Sequence, residues 1–278
     1  MEDINQDVIK FKHQFQYDLK QFNILKEQYY DWIQRWEKFS KNMEKYIGEI
    51  SGIINEFNIQ YNNLEKILVK ENIKNLYKDK SKGIYMVPRM LNNVLEVNGK
   101  MFHGSSLLDI PDLIEFCEVQ EKDLLQIQAV ANENYNNMCT VRGNRDKLSE
   151  DYFKFINMYL LNIIDGIKAG IDYTDLNGEV NKIIELIKTV YEKLLEKMEE
   201  LLKSLDITRI KVEKFEMYNY TTHKVFDVQE TDNSDFHGRI YEVARYGYIY
   251  KDMIYTEEYR HIVRPAEVIV YKYMAQDH

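Results

Sequence analysis

The chain is expected to be mainly α-helical, with long heptad-patterned helices, a helical bundle and a small C-terminal antiparallel β domain. Three observations predict this. Only 3 Pro and 11 Gly punctuate 278 residues, which favours long uninterrupted helices over a many-stranded fold. Bulky apolar residues recur at heptad spacing from the N-terminus onward. After Asp206 the pattern changes to alternation and a β-rich composition.

In the first segment Val8, Phe15, Phe22, Tyr29, Trp36, Met43, Ile50, Phe57 and Leu64 fall seven apart. A second stripe, Ile4, Phe11, Leu25, Trp32, Phe39, Tyr46, Ile53 and Ile67, is broken at Asp18 and Gln60. Together they form the a/d pattern of helices packed side by side. Aromatics at these positions suit a wide bundle or helical hairpin better than a slim two-stranded coil. Gly48 and Gly52 lie about one turn apart, where a bend or hairpin turn fits. Residues 1–71 therefore read either as one helix, on the order of 100 Å long at about 1.5 Å per residue, or as a hairpin.

Across residues 72–110 the periodicity fades, and Lys78 to Gly83, Pro88, Gly99 and Gly104 mark turns, so this stretch reads as an irregular linker. Lys70, Lys74, Lys78, Lys80, Lys82 and Arg89 make it locally basic, as a solvated loop face would be. A helix restarts near Asp109, a candidate N-cap, with Pro111 in its first turn. Cys117, Leu124, Ala131 and Met138 recur seven apart along it, and residues 144–149 are a candidate interruption before Tyr152, Phe155, Ile156, Tyr159 and Leu160. Residues 177–205 carry a broad stripe through Ile184, Ile187, Tyr191, Leu194, Met198 and Leu201, widened by Ile183, Val190, Leu195 and Leu202. So wide a face requires more than one partner, as in a four-helix bundle. Strands are expected at residues 210–215 and 225–228, with a turn at 231–235, and in two longer runs at 241–250 and 262–273. The chain divides accordingly into 1–71, 72–110, 111–208 and 209–278.

A hydrophobic content of 45% is enough for a core, and the formal charge of −9 disfavours nucleic acid as the main partner. Cys117 and Cys139 show no CxxC spacing, which points to free thiols in a reducing compartment. The N-terminus lacks a signal-peptide pattern, and the apolar run at Tyr159 to Ile164 stops at Asp165, far short of a membrane span. A cytoplasmic location follows as the expectation.

The last third closes with Gly238-Arg239-Ile240-Tyr241-Glu242-Val243-Ala244-Arg245-Tyr246-Gly247-Tyr248, then Arg264-Pro265-Ala266-Glu267-Val268-Ile269-Val270-Tyr271-Lys272. Upstream stand Glu133-Asn134-Tyr135, the run from Leu160 to Ile167, and Tyr218-Asn219-Tyr220-Thr221-Thr222-His223. In that order these resemble the GrpE-type nucleotide exchange factors over roughly residues 110–273. Gly247 is where a turn or bulge excludes a β-carbon, and Val268 and Val270 alternate onto one face of a strand. The chain departs from the family pattern at Asn136, Asn137 and Met138, where basic residues usually follow Glu-Asn-Tyr. Arg142, Arg145 and Lys147, about two turns on, are candidates to replace them. The first hundred or so residues have no counterpart in the resemblance.

The resemblance implies a homodimer built through the long helices, with the β domain engaging the ATPase domain of a DnaK-type chaperone and promoting ADP release. It also implies chaperone-contacting residues: Ala244, Arg245, Arg264, Val270 and His223, with Arg142, Arg145 and Lys147. Each has a plainer reading beside it. For Val270 this is strand packing, for Arg264 an exposed strand charge, and for His223 a hydrogen bond at the base of the β domain. The six His form no metal-ligand spacing, and no phosphate loop, nucleophile elbow or Cys/His dyad occurs, so neither catalysis nor a cofactor is expected. The rival expectation is a coiled-coil scaffold that keeps the fold without exchange activity. Under either expectation, the N-terminal stripe fits an added dimerisation stalk or a groove for a substrate or a dedicated partner chaperone.

Overall fold

The computed structural model describes residues 2–65, 80–104, 113, 124–175, 182–254 and 257–274. Asp109, Pro111, Cys117, Lys70, Lys74 and Lys78, and the boundaries expected at 71/72 and 110/111, lie outside the described residues. Two compact units emerge: Met1–Lys38 with Gly99–Phe153, and Phe39–Asn98 with Lys154–His278.

Helix α1 (Glu2–Glu65) is continuous over 64 residues, so the hairpin alternative falls away. Gly48 and Gly52 cause no break, since both lie on the exposed face with nothing within 4 Å of a β-carbon there. The heptad stripe is the buried one from Phe22 through Leu25, Tyr29, Trp32, Trp36, Phe39, Met43, Tyr46 and Ile50. Beyond that Phe57 stays buried on the first stripe, while on the second the burial moves one residue on, to Ile54 and Tyr61 in place of Ile53 and Gln60. This is the drift of a straight 3.6-residue helix out of a 3.5-residue pattern, and it explains why Gln60 could interrupt the stripe.

In the first unit α1 packs along α3 (Leu124–Phe155). Phe11 and Phe15 meet Ile127 and Val130, and Phe22 and Leu25 meet Met138 and Val141. Further on, Trp32 and Trp36 lie 5.7 and 5.3 Å from Tyr152 between ring centroids. Partner numbers rise together along the two helices, so the pair is parallel. Residues 144–149 do not interrupt α3; Leu148 is buried there, and its carbonyl accepts a 3.4 Å hydrogen bond from Trp36 Nε1.

The second unit holds a helical bundle. Its second helix, α2 (Lys82–Gly104), occupies part of the stretch expected to be irregular. Ile84, Val87, Leu91 and Val94 are all buried along one face. Burying each contributes about 1.5–3 kcal/mol, which together outweighs the roughly 3 kcal/mol cost of Pro88 within the helix. Asn98 Nδ2 donates to Ser40 Oγ at 2.7 Å, and Tyr85 Oη donates to Asn58 Oδ1 at 2.5 Å, so α2 runs antiparallel to α1.

After Phe155 a π-helical turn, Ile156–Leu160, leads into α4 (Leu161–Asp175). Phe155 and Ile156 are buried, as are Leu160 and Leu161. That five-residue recurrence of apolar pairs is accommodated by a π turn and not by 3.6-residue geometry. Helix α5 (Lys182–Ser204) buries Ile183, Ile184, Ile187, Val190, Tyr191, Leu194, Met198, Leu201 and Leu202. Tyr191 is cradled by Gly83 and Gly170, where added β-carbons would lie 2.3 Å from its hydroxyl oxygen and 2.6 Å from its ring, respectively. Its hydroxyl donates to the Lys80 carbonyl at 3.1 Å, and burial raises its pKa.

The β domain has two three-stranded sheets. In one, β1 (Ile207–Arg209), β4 (Tyr248–Ile254) and β5 (Glu257–Arg264) are antiparallel in the order β1-β4-β5. In the other, β6 (Ala266–Tyr273) lies between β2 (His223–Thr231) and β3 (Ile240–Arg245). The small β domain is antiparallel in its β1–β4, β4–β5 and β3–β6 pairings, while β2 pairs with β6 in parallel, so this sheet is mixed. Each long run expected at 241–250 and 262–273 is in fact two strands in different sheets. Pro265 lacks the N–H a ladder requires, and Gly247 lets the chain turn, so both runs cross between sheets there. Residues 210–215 form no strand; β1 ends at Arg209, and Phe215 takes a positive φ of 69°.

Candidate functional site

The Leu160 to Ile167 stretch carries Asp165 on α4, facing the two crossing points of the β domain. Arg264 at the end of β5 grips it bidentately, Nη1 to Oδ2 and Nη2 to Oδ1, both at 2.8 Å. The same guanidinium donates to the Tyr246 carbonyl from Nε at 3.1 Å and from Nη2 at 2.9 Å. Arg245 at the end of β3 adds Nε to Asp165 Oδ2 at 2.8 Å and Nη2 to Asn162 Oδ1 at 3.0 Å. Two arginines thus converge on one carboxylate. The planar fork of Arg264 fixes direction as well as distance.

Around this clamp the Tyr246 ring lies beneath Arg209 at 4.6 Å and Lys168 at 5.2 Å, and Arg209 also pairs with Glu199 at 3.1 Å. Gly247 follows. A β-carbon there would lie 2.3 Å from the Ala266 nitrogen, so the corner between β3 and β4 is pressed directly on the start of β6. The steric reason expected for glycine holds at this position.

Arg264 is only 4% exposed and Val270 9%; the first is committed to Asp165, the second to a core with Ile240, Ala266 and Val268. Both side chains hold the wing together from inside. His223 is 5% exposed, its Nδ1 accepts from the Asn219 backbone N–H at 3.2 Å, and its carbonyl accepts from Tyr218 Oη at 3.1 Å. Burial lowers its pKa, opposed by Glu216, whose Oε1 lies 3.7 Å from Nε2. Ala244 is exposed on β3, and Arg245 is half-buried.

The other three candidates are on α3 in the first unit. Arg142 and Lys147 are exposed. Arg145 is half-buried; its Nη1 donates to Gln28 Oε1 at 2.5 Å and its Nη2 bonds Asp146. At about 100° per residue, Lys147 points roughly 140° away from Arg142, so the three do not form one patch. Of the Glu133-Asn134-Tyr135 motif, Asn134 is buried and Tyr135 exposed.

Asp165 was not among the residues expected at the site. Its signal was its place in the Leu160 to Ile167 motif ahead of two arginines. Also missed were exposed apolar side chains on the β domain: Tyr220 at 86%, Phe226 at 63% and Met217 at 59%. Among the described residues no three His, Cys, Asp or Glu cluster as metal ligands, and no helix is long and apolar enough to cross a membrane.

A family model, GrpE, matches residues 111–272, from ahead of α3 to the end of β6. The chain belongs to the GrpE family. No curated protein and no solved structure matches it. GrpE proteins are nucleotide exchange factors, co-chaperones of DnaK-type chaperones that dimerise and are not themselves enzymes. The match begins where the resemblance was expected to begin and leaves α1 and α2 of this GrpE protein outside it.

Proposed function

We propose that this GrpE protein binds the ATPase domain of a DnaK-type chaperone in the cytoplasm and promotes release of ADP. The observation that carries the reading is the family match over residues 111–272, which spans both the long helix α3 and the whole β domain. The wing is built to be held at a fixed angle, with Gly247 seated on Ala266 and Arg264 locked on Asp165. A rigid wing suits the task. An exchange factor works by binding the opened arrangement of the nucleotide-binding lobes more tightly than the closed one, and only that differential affinity shifts the equilibrium.

In this reading Ala244 and the outer edge of Arg245 touch the chaperone, with Arg142 and Lys147 as charge contacts from α3. Arg264, Val270 and His223 act by shaping the surface that carries them. Arg145 contributes less, because Gln28 and Asp146 occupy its guanidinium.

Release of a fluorescent ADP analogue from a DnaK-type protein, followed with and without this chain, tests the proposal. Acceleration is expected, and Arg142→Glu with Lys147→Glu is expected to weaken it by about 0.5–1 kcal/mol per charge, a few-fold in affinity. A folded chain that leaves the release rate unchanged would favour the rival reading, a scaffold without exchange activity. Asn136, Asn137 and Met138, standing where the family carries basic residues, motivate that rival.

A further inference from the structure

Helices α1 and α2 lie outside the family match, yet Phe39–Asn98 belongs to the same compact unit as α4, α5 and the β domain. What this stretch does there follows from where it meets α5. Asn42 Nδ2 donates to Ser204 Oγ at 2.9 Å, and Glu49 pairs with Lys197 at 3.4 Å. The two contacts are seven residues apart on each helix, and the numbers rise on one as they fall on the other. The second half of α1 therefore lies antiparallel along the last two turns of α5.

The apolar stripe of α5 has two sides. At about 100° per residue, Lys197 projects within about 60° of Ile183, Val190, Leu194 and Leu201, whereas Tyr191 points about 120° away from it. All five apolar residues are buried. Tyr191 is met by α4 through Gly170 and by α2 through Gly83 and the Lys80 carbonyl. The side carrying Leu194 and Leu201 turns toward α1, and neighbours on both sides account for the breadth of the stripe. Withdrawing α1 would return that side to water.

The end of α5 is also the root of the wing. Only Leu205 and Asp206 separate Ser204 from β1. Asp206 takes a positive φ of 62°, and its carbonyl accepts from the Lys251 N–H of β4 at 3.0 Å. Ile207 is buried, and Arg209 at the end of β1 pairs back to Glu199 of α5 at 3.1 Å. Strands β1 and β4 are thus fastened to the end of α5 without slack, so whatever fixes Ser204 fixes the start of the wing.

We infer that the second half of α1, backed by α2, is the mount of the wing: it seats the end of α5 and so sets where β1 and β4 begin. Asn42 is the positioning residue at that contact. Helix α2 braces this half of α1 through Asn98 on Ser40 and Tyr85 on Asn58. Residues outside the family match thereby hold the element that carries the family's β domain.

Hydrogen–deuterium exchange on the full chain, read at the amides of β1 and β4, is the test. Met43→Ala and Leu25→Ala each truncate a buried side chain of α1, Met43 in the second unit and Leu25 in the first. Met43→Ala should speed exchange in β1 and β4 about tenfold or more, and Leu25→Ala should leave it within about twofold. Asn42→Ala removes one hydrogen bond and no core side chain, which keeps the test open should Met43→Ala fail to fold. It should speed exchange from Ile207 to Arg209 about two- to tenfold. Unchanged exchange there in Asn42→Ala, or equal acceleration of β1 and β4 by Met43→Ala and Leu25→Ala, would overturn the mount. Amide exchange is measured without a chaperone, so a wild type that releases no ADP bears on the exchange reading alone.

Discussion

Asp165 on α4 accepts two parallel hydrogen bonds from Arg264, each 2.8 Å long, although the two residues are 99 positions apart in the chain. Side-chain exposure is 5% for the arginine and 25% for the aspartate. Removing one partner leaves the other charge largely enclosed. Asp165→Asn or Arg264→Met is expected to destabilise the protein by about 2–4 kcal/mol, toward the lower part of the range for buried pairs because Asp165 keeps some water. Urea unfolding measures the loss, and Arg245→Gln should cost clearly less, since its side chain is 37% exposed.

Gly247 is expected to tolerate no side chain. Gly247→Ala places a carbon 2.3 Å from the Ala266 backbone nitrogen, and neither backbone can yield without shifting a strand. A loss of about 1–3 kcal/mol follows. Gly48→Ala and Gly52→Ala should instead raise stability by about 0.5–1 kcal/mol each, because both lie in open space inside a helix. Thermal unfolding of the three variants gives opposite signs if the placement of these glycines is right.

Tyr248 contributes through its ring. The ring is buried with Arg264 at 5.6 Å, burial pushes the hydroxyl pKa up, and the hydroxyl oxygen has no hydrogen-bond partner among the described residues. Tyr248→Phe should therefore be neutral or stabilising by up to about 1 kcal/mol, since it removes an enclosed polar group that nothing satisfies. A clear loss of stability in denaturant would contradict this geometry.

Stability should fall as the solution is acidified past pH 6.5. Burial lowers the pKa of His223 and of His261 below the ordinary 6.5, so between the folded and unfolded values the unfolded chain binds more protons. The contribution is fully present above 6.5 and is lost as pH falls through the folded value. Glu216 beside His223 moderates the effect. Unfolding midpoints between pH 5 and 8 for the wild type and His223→Asn test it; a smaller slope in the variant is expected.

The helical scaffold could be read from side-chain period because a buried face imposes that period directly. Phe22, Trp36 and Met43 in α1, and Ile187, Leu194 and Met198 in α5, were placed on buried faces by spacing alone. Helix α2 was not, because Pro88, Gly83 and Gly99 masked the short stripe of Ile84, Val87, Leu91 and Val94. The candidate site was half readable. Gly247 announced a turn, but residues 262–273 read as one run across Pro265, and nothing local to Arg264 revealed that its charge would be spent inside the fold.

By itself the sequence determined the order of elements, the family and the need for a wide bundle, since these follow from periodicity and motif order along one chain. Only the tertiary structure decided which surfaces meet. Whether α1 bends, which strand runs parallel, and which arginine finds Asp165 depend on contacts between residues far apart in sequence. Such contacts leave no period to read, because their partners are fixed by the packing of whole elements and not by neighbouring residues.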